Sequence, residues 1–301
     1  MNRHFITTGI VLFLFNFLII SARENYSFEQ LSIKNGLTNA TVSGMVQDSK
    51  GFLWIATRNG LNRYDGKNIK TYQYEEENLN SLRENYLNEI FIDRDDILWI
   101  ASQNALTKFE QKKEQFTYYT DSAANADTIF KGVPNVVFRD KKGVLWVGNS
   151  QNGIQIFDEK TGNFKRNFYR NSGGEGSLKN AINDITELKD GKLLAGSYVG
   201  IEIYDADKKR FSDIGKNEFP FDRVNLFYRE GADSIWVLTE SGNFVKCSGN
   251  GKAVKAFNFP KLLGIDKEIP LRTVVKDNKG KFWIGTWGYG IIIFDPANEK
   301  I

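Results

Sequence analysis

Few side chains in this 301-residue chain have types and spacings that could do chemistry. The one histidine, His4, stands near the start, so the rest of the chain has no imidazole for a triad, a metal site or a phosphorelay. The one cysteine, Cys247, excludes an intrachain disulfide. The glycines Gly285, Gly288 and Gly290 in "GKFWIGTWGYGIIIFD" spell G-x-x-G-x-G, the outline of a phosphate-binding loop. Such a loop needs a helix after it, whose N-terminus receives the anion. The glycines lead instead into "IIIFDPANEKI", a strand-like run and a proline, so the phosphate reading fails on context. "DRDD" at Asp93 lacks the glycine and the distant glutamate of a calcium loop and aligns with turns elsewhere in the chain. No acidic residue departs from the local pattern as half of a glycosidase pair. The expectation is therefore a chain with no catalytic residues, no metal ligands and no cofactor.

The side chains that remain are polar and aromatic. Counting eleven residues back from a recurring tryptophan gives Ser43, Asn88, Asn135, Asn183, Asn225 and Arg272. Asparagine at such positions caps local turns. A ring of amides around an opening would also hydrogen-bond sugar hydroxyls, and the two readings are compatible. Arg58, Tyr198, Glu240, Trp287 and Tyr289 fall in short segments between strand-like runs. Trp287 is not a repeat position, because Trp283 already fills that place. An aromatic on a loop without a packing duty suits stacking on the apolar face of a sugar or on a partner. Contact with a neighbouring part of the fold is the alternative for Trp287 and Tyr289.

The elements that must position these residues come from a repeat. "SKGFLWIATRNGLNRYD" from Ser49 returns as "RDDILWIASQNALTKFE" from Arg94 and "KKGVLWVGNSQNGIQIFD" from Lys141. Weaker copies start at Lys189 and Glu230, and the glycine-rich stretch from Gly280 is the sixth. The anchors are Trp54, Trp99, Trp146, Leu194, Trp236 and Trp283, at spacings of 45, 47, 48, 42 and 47 residues. Each unit reads as four short strands with Asp-Gly and similar turns between alternating runs. Four antiparallel strands at a period in the forties match a β-propeller blade. The expected fold is all-β, with six blades in the chain and tryptophans filling the space between them. Gly60, Gly153, Gly200, Gly242 and Gly290 recur at the exit of one loop, where a positive φ is expected.

Charge and targeting bound the function. Lys plus Arg number 40 against 37 Asp plus Glu, too balanced for a nucleic-acid footprint. Residues 1–22 combine Arg3, an apolar run from Ile10 to Ile20 and a small pair, Ser21-Ala22, as an export signal does. The domain expectation is thus a signal at 1–22 and a propeller at 23–301, exported and periplasmic. An uncleaved N-terminal anchor stays open as the alternative.

The pattern D-x-x-G-x-L-W-I-G-T followed by G-[IL]-x-x-[FY]-D resembles the two-component regulator propeller repeat, from Tyr26 to Ile301. That resemblance implies seven-bladed propellers in the extracytoplasmic sensor of hybrid two-component systems, responding to oligosaccharides. It implies as partners an oligosaccharide or other small ligand and the remaining parts of a receptor, with homodimerisation open. The chain departs from the plan by ending after the third strand of the sixth unit. "YSFEQLSI" from Tyr26 could supply that blade's missing outer strand, or the blade stays open. A propeller glycosidase or lyase and a protein-interaction scaffold are the competing functions.

Overall fold

The computed structural model describes residues 26–120, 132–150, 152–168, 180–205, 210–213 and 222–301. The export-signal expectation at 1–22 lies outside the described residues. The described residues 26–31 belong to a unit separate from the body and contain no strand. The body begins at Ser32, whose hydroxyl caps a 3-10 turn at Ile33–Asn35.

Six antiparallel sheets are laid down in chain order. Blade 1 holds β1 (Val42–Gln47), β2 (Leu53–Thr57), β3 (Gly60–Tyr64) and β4 (Ile69–Tyr72). Blade 2 holds β5 (Leu87–Ile92), β6 (Ile97–Ser102), β7 (Ala105–Glu110) and β8 (Gln115–Thr120). Blade 3 holds β9 (Pro134–Arg139), β10 (Leu145–Asn149), β11 (Ile154–Asp158) and β12 (Asn163–Phe168). Blade 4 holds β13 (Ile182–Glu187), β14 (Leu193–Ser197), β15 (Gly200–Asp205) and β16 (Arg210–Asp213). Blade 5 holds β17 (Val224–Glu230), β18 (Ser234–Thr239), β19 (Asn243–Ser248) and β20 (Ala253–Asn258). A one-turn helix, α1 (Phe259–Leu263), leads to blade 6 with β21 (Leu271–Lys276), β22 (Phe282–Thr286) and β23 (Ile291–Phe294).

The propeller expected from the repeat is what forms. Each sheet is a meander, and the first strands of successive blades stand next to one another. The sixth sheet has three strands, and residues 26–31 do not supply a fourth.

A sheet with two apolar faces must bury both, and here the second face is buried against the next blade. Five apolar clusters result, one at each seam. At the first, Trp54, Ala56 and Leu61 of blade 1 meet Leu87, Ile90 and Leu98 of blade 2. At the fifth, Trp236 and Phe244 of blade 5 meet Leu271, Phe282 and Ile284 of blade 6. The outer faces of the two end blades have no such cover among the described residues. Val42 and Met45 of β1 are 48% and 60% exposed, where their counterparts Leu87 and Ile90 are nearly fully buried.

Two polar devices recur beside the apolar seams. In the first, a carboxylate in the turn between first and second strands receives the indole N–H six residues later. Asp48 Oδ2 takes it from Trp54 at 2.9 Å, Asp93 from Trp99 at 3.0 Å and Asp140 from Trp146 at 2.8 Å. Glu230 serves Trp236 and Asp277 serves Trp283 in the same way. The other oxygen of Asp48 accepts the backbone N–H of Lys50 and Phe52, so one side chain closes the turn and fixes the ring. In blade 4, where leucine replaces tryptophan, the residue six earlier is Leu188, so an apolar pair, Leu188 and Leu194, takes the place of carboxylate and indole.

The second device involves the residues eleven before each anchor. Every inner strand carries a bulge near its start, with the register shifting across Ser43, Asn88, Asn135, Asn183, Asn225 and Arg272. Asn88 Nδ2 donates to Pro134 O at 2.9 Å, Asn135 to Ile182 O at 3.0 Å, Asn183 to Val224 O at 2.7 Å and Asn225 to Leu271 O at 2.9 Å. The asparagines therefore tie each inner strand to the next. Ser43 is too short for this reach, and its Oγ is buried without a partner.

Candidate functional site

The loops between second and third strands gather on the rim that also carries the inner-strand bulges. Gly60, Gly153, Gly200, Gly242 and Gly290 all have φ between 71° and 116°, as expected for their turn. The preceding hydroxyl closes the loop in several blades: Thr57 Oγ1 donates to Gly60 O, Ser197 Oγ to Gly200 O and Thr286 Oγ1 to Gly290 O. The hairpins are short and held at their base, so side chains at their tips are presented from a rigid support.

One cluster on this rim spans blades 4 to 6 and is organised around Glu240. Its Oε2 accepts from Asn225 Nδ2 at 2.9 Å, and its Oε1 pairs with Arg272 Nη2 at 3.0 Å. Its backbone N–H donates to Arg223 O at 2.9 Å. Arg272 in turn lies over the ring of Trp287, 5.6 Å from the centroid, and Arg223 lies over Tyr198 at 3.8 Å. Trp287 is 69% exposed, while its backbone N–H is fixed to Pro270 O at 2.9 Å. Tyr198 and Tyr289 are also exposed. The result is two aromatic faces, each bearing a guanidinium, with a carboxylate between them. Such an array can stack a sugar ring and hydrogen-bond its substituents.

The candidates from the sequence separate into groups. Asn225, Arg272, Tyr198 and Trp287 come together in the cluster, and Tyr289 shares the Trp287 loop. Asn88, Asn135 and Asn183 stand at the starts of the other inner strands with their amides given to the seams. Arg58 lies apart, between blades 1 and 2, over the Tyr86 ring at 5.2 Å. Arg223 and Tyr86 were not singled out by sequence reasoning. Both lie just before an inner strand, and no recurrence in the sequence marks them, since the same place in the other units holds Thr41, Val133, Ala181 and Pro270.

Enclosed space lies elsewhere. A cavity of about 390 Å³ beside blade 2 is lined by Arg83, Glu84, Asn104, Ala105 and Tyr118. Burial pushes the Tyr118 hydroxyl up to about 12, and that hydroxyl has no hydrogen-bond partner. Another of about 220 Å³ lies by the turns of blades 1 and 2, lined by Lys50, Asp95, Asp96 and Lys113 among others. Neither of these two cavities includes a residue of the Glu240 cluster.

Two acidic groups stand on inner strands. Glu89 on β5 is pushed up to about 8, first by burial and then by the nearby charge of Asp184. Asp184 on β13 is raised to about 7 by burial, against backbone hydrogen bonds from Phe227 and Ile185. Cys247 is buried and its thiol is pushed up to about 12, which leaves it inert as a nucleophile. Among the described residues no three His, Cys, Asp or Glu side chains converge as metal ligands.

Comparison with known proteins fits this architecture. Residues 36–59 match the family model described as two component regulator propeller. The chain is a β-propeller, and the match places similarity to the two-component regulator propeller repeat at the first two strands of its first blade. It is 38% identical over 72 residues to histidine kinase P4 of Formosa agariphila, a match covering 23% of this chain and 5% of that protein. Among solved structures it resembles the extracellular domain of a putative hybrid two-component system of B. thetaiotaomicron. That likeness has a TM-score of 0.73 at 19% identity and covers 92% of this chain and 38% of the other. It also resembles virginiamycin B lyase of Staphylococcus aureus, with a TM-score of 0.65 at 15% identity over 86% of this chain and 82% of the lyase. The chain therefore spans a small part of the kinase and about two fifths of the sensor domain. At these identities the structural likenesses establish the fold. No helix among the described residues is long and apolar enough to cross a membrane.

Proposed function

We propose that the chain is the ligand-sensing propeller of an extracytoplasmic two-component receptor, exported to the periplasm, and that it binds oligosaccharide without transforming it. The observation that carries this reading is the Glu240 cluster, in which exposed Trp287 and Tyr198 are each oriented by an arginine on a rigid rim. Exposed aromatics cost solubility and add nothing to the seams, so their place on the rim is explained by something that covers them. The two-component propeller repeat at residues 36–59 supports a sensory role. The remaining parts of a receptor would be its partner, transmitting occupancy of the rim.

The likeness to a lyase of propeller fold supplies the second reading, an enzyme. Incubating the chain with neutral and acidic plant and host oligosaccharides separates the two. Calorimetry should show saturable binding to a subset, with no new reducing ends and no unsaturated products. Turnover of any bound oligosaccharide would replace the sensor by an enzyme.

A further inference from the structure

The two arginines of the Glu240 cluster look alike in sequence and differ in their electrostatics. Arg272 is ion-paired: its guanidinium meets Glu240 Oε1 at 3.0 Å, so its charge is largely matched before any ligand arrives. Arg223 has no such partner among the described residues. Its Nε is buried without an acceptor, and its guanidinium rests on the Tyr198 ring, 3.8 Å from the centroid. Neither neighbouring carboxylate is hydrogen-bonded or ion-paired to its guanidinium. Glu240 gives its oxygens to Asn225 and Arg272. Asp222, the preceding residue, accepts from the N–H and hydroxyl of Ser241 and from Asn243 Nδ2.

A guanidinium held over an aromatic ring loses little further freedom when it binds, and its planar fork matches an oxyanion with two parallel hydrogen bonds. Without an ion-pair partner of its own, it rewards a ligand that brings one. We infer that Arg223 selects an acidic oligosaccharide, one bearing a carboxylate or a sulfate group, whose anion it takes while a sugar ring stacks on the neighbouring rim aromatics. This rests on the reading of the rim as an oligosaccharide-binding surface and adds the charge of the ligand to it. Asn225 Oδ1 and the remaining lone pairs of Glu240 would then accept from hydroxyls on the same ring, with Arg272 serving to hold Trp287 in place.

The test uses the full chain and matched pairs of oligosaccharides. One pair is oligogalacturonate and its carboxyl-reduced form; the other is a sulfated galactan oligosaccharide and its desulfated form. Affinity is measured at low and at high salt for the parent chain and for Arg223→Gln, Arg223→Lys and Trp287→Ala, with melting temperatures recorded for each. The expected result is that one acidic member binds at least about tenfold more tightly than its neutral twin. Arg223→Gln should abolish that preference, and Arg223→Lys should keep part of it as a point charge. Which pair shows the preference tells carboxylate from sulfate. Equal affinity for both members of each pair, with Trp287→Ala still abolishing binding, would overturn the role of Arg223 and leave the rim as a neutral-sugar site. Binding that ignores Trp287→Ala as well would overturn the rim reading itself. Should Arg223→Gln melt early, the salt dependence of the parent chain decides: affinity for the acidic member that does not fall with salt contradicts the inference.

Discussion

At the seam between blades 3 and 4, Trp146 is 3% exposed, donates its indole N–H to Asp140 and meets Tyr204 edge-on at 5.4 Å. At the rim of blade 6, Trp287 is 69% exposed and carries Arg272 on its face. The same side chain thus occurs in two settings that differ in nearly every physical respect. The seam tryptophan is placed by a carboxylate in its own blade and buried by the next one. The rim tryptophan is placed by a backbone hydrogen bond and an arginine, and its ring is left open. The difference shows how a repeat separates its tasks: the periodic positions supply cohesion between blades, and the positions outside the period are free to carry recognition.

The largest effect should come from the seam. Trp146→Ala is expected to lower unfolding free energy by about 3–5 kcal/mol, measured by denaturant titration, since it removes a large buried side chain between two blades. A loss below about 1 kcal/mol would mean that the seam does not depend on its anchor. Asp140→Ala should cost about 1–3 kcal/mol, because it orphans the indole N–H and the Val144 backbone N–H together. An unchanged midpoint would reduce this carboxylate to decoration of a turn.

A titration sharpens the comparison from within the fold. Glu89 and Asp184 have pKa values raised above those of the unfolded chain, so the folded form holds their protons more tightly. Their contribution is fully present below about pH 4 and is lost as pH rises through about 7 and 8. The melting temperature should therefore fall between pH 5 and pH 8, and Glu89→Gln should flatten that slope. A slope that survives in both Glu89→Gln and Asp184→Asn would assign it to other groups.

Smaller again is the inter-blade amide. Asn183→Ala should cost about 1 kcal/mol through the lost bond to Val224 O, with sugar binding affected less than by changes at Trp287. Smallest on the stability scale is the rim: Trp287→Ala should lie within about 0.5 kcal/mol of the parent chain, since the ring is exposed.

The propeller was legible because its signal repeats. Six anchors at nearly constant spacing, and turn residues between alternating runs, specify a blade before any contact is known. The bulge positions were legible as a polar recurrence, but their partners were not. Asn88 and Pro134 lie 46 residues apart, and only the docking of one blade on the next brings amide and carbonyl together. The carboxylate that holds each indole was visible as an aspartate six residues before the tryptophan, yet it reads equally well as a turn residue. In the structure Asp48 does both. At the rim, Trp287 stood out because the repeat left it without a packing role. Arg223 did not stand out, since its meaning comes from its place over Tyr198 without an ion-pair partner, and that is a property of three-dimensional neighbours. Whether the segment from Tyr26 forms a strand was not legible in local sequence, because strand pairing depends on chain path; residues 26–31 contain none.

The central claim is that the exposed ring of Trp287 belongs to the ligand surface of the propeller. Its fluorescence tests this most directly, because an exposed indole emits at longer wavelength than the buried ones. Titration with the oligosaccharides of the matched pairs should shift the emission to shorter wavelength in step with calorimetric saturation. The shift should vanish in Trp287→Phe at an unchanged melting temperature. Saturable binding with no spectral change, or a shift that persists undiminished in Trp287→Phe, would contradict the account.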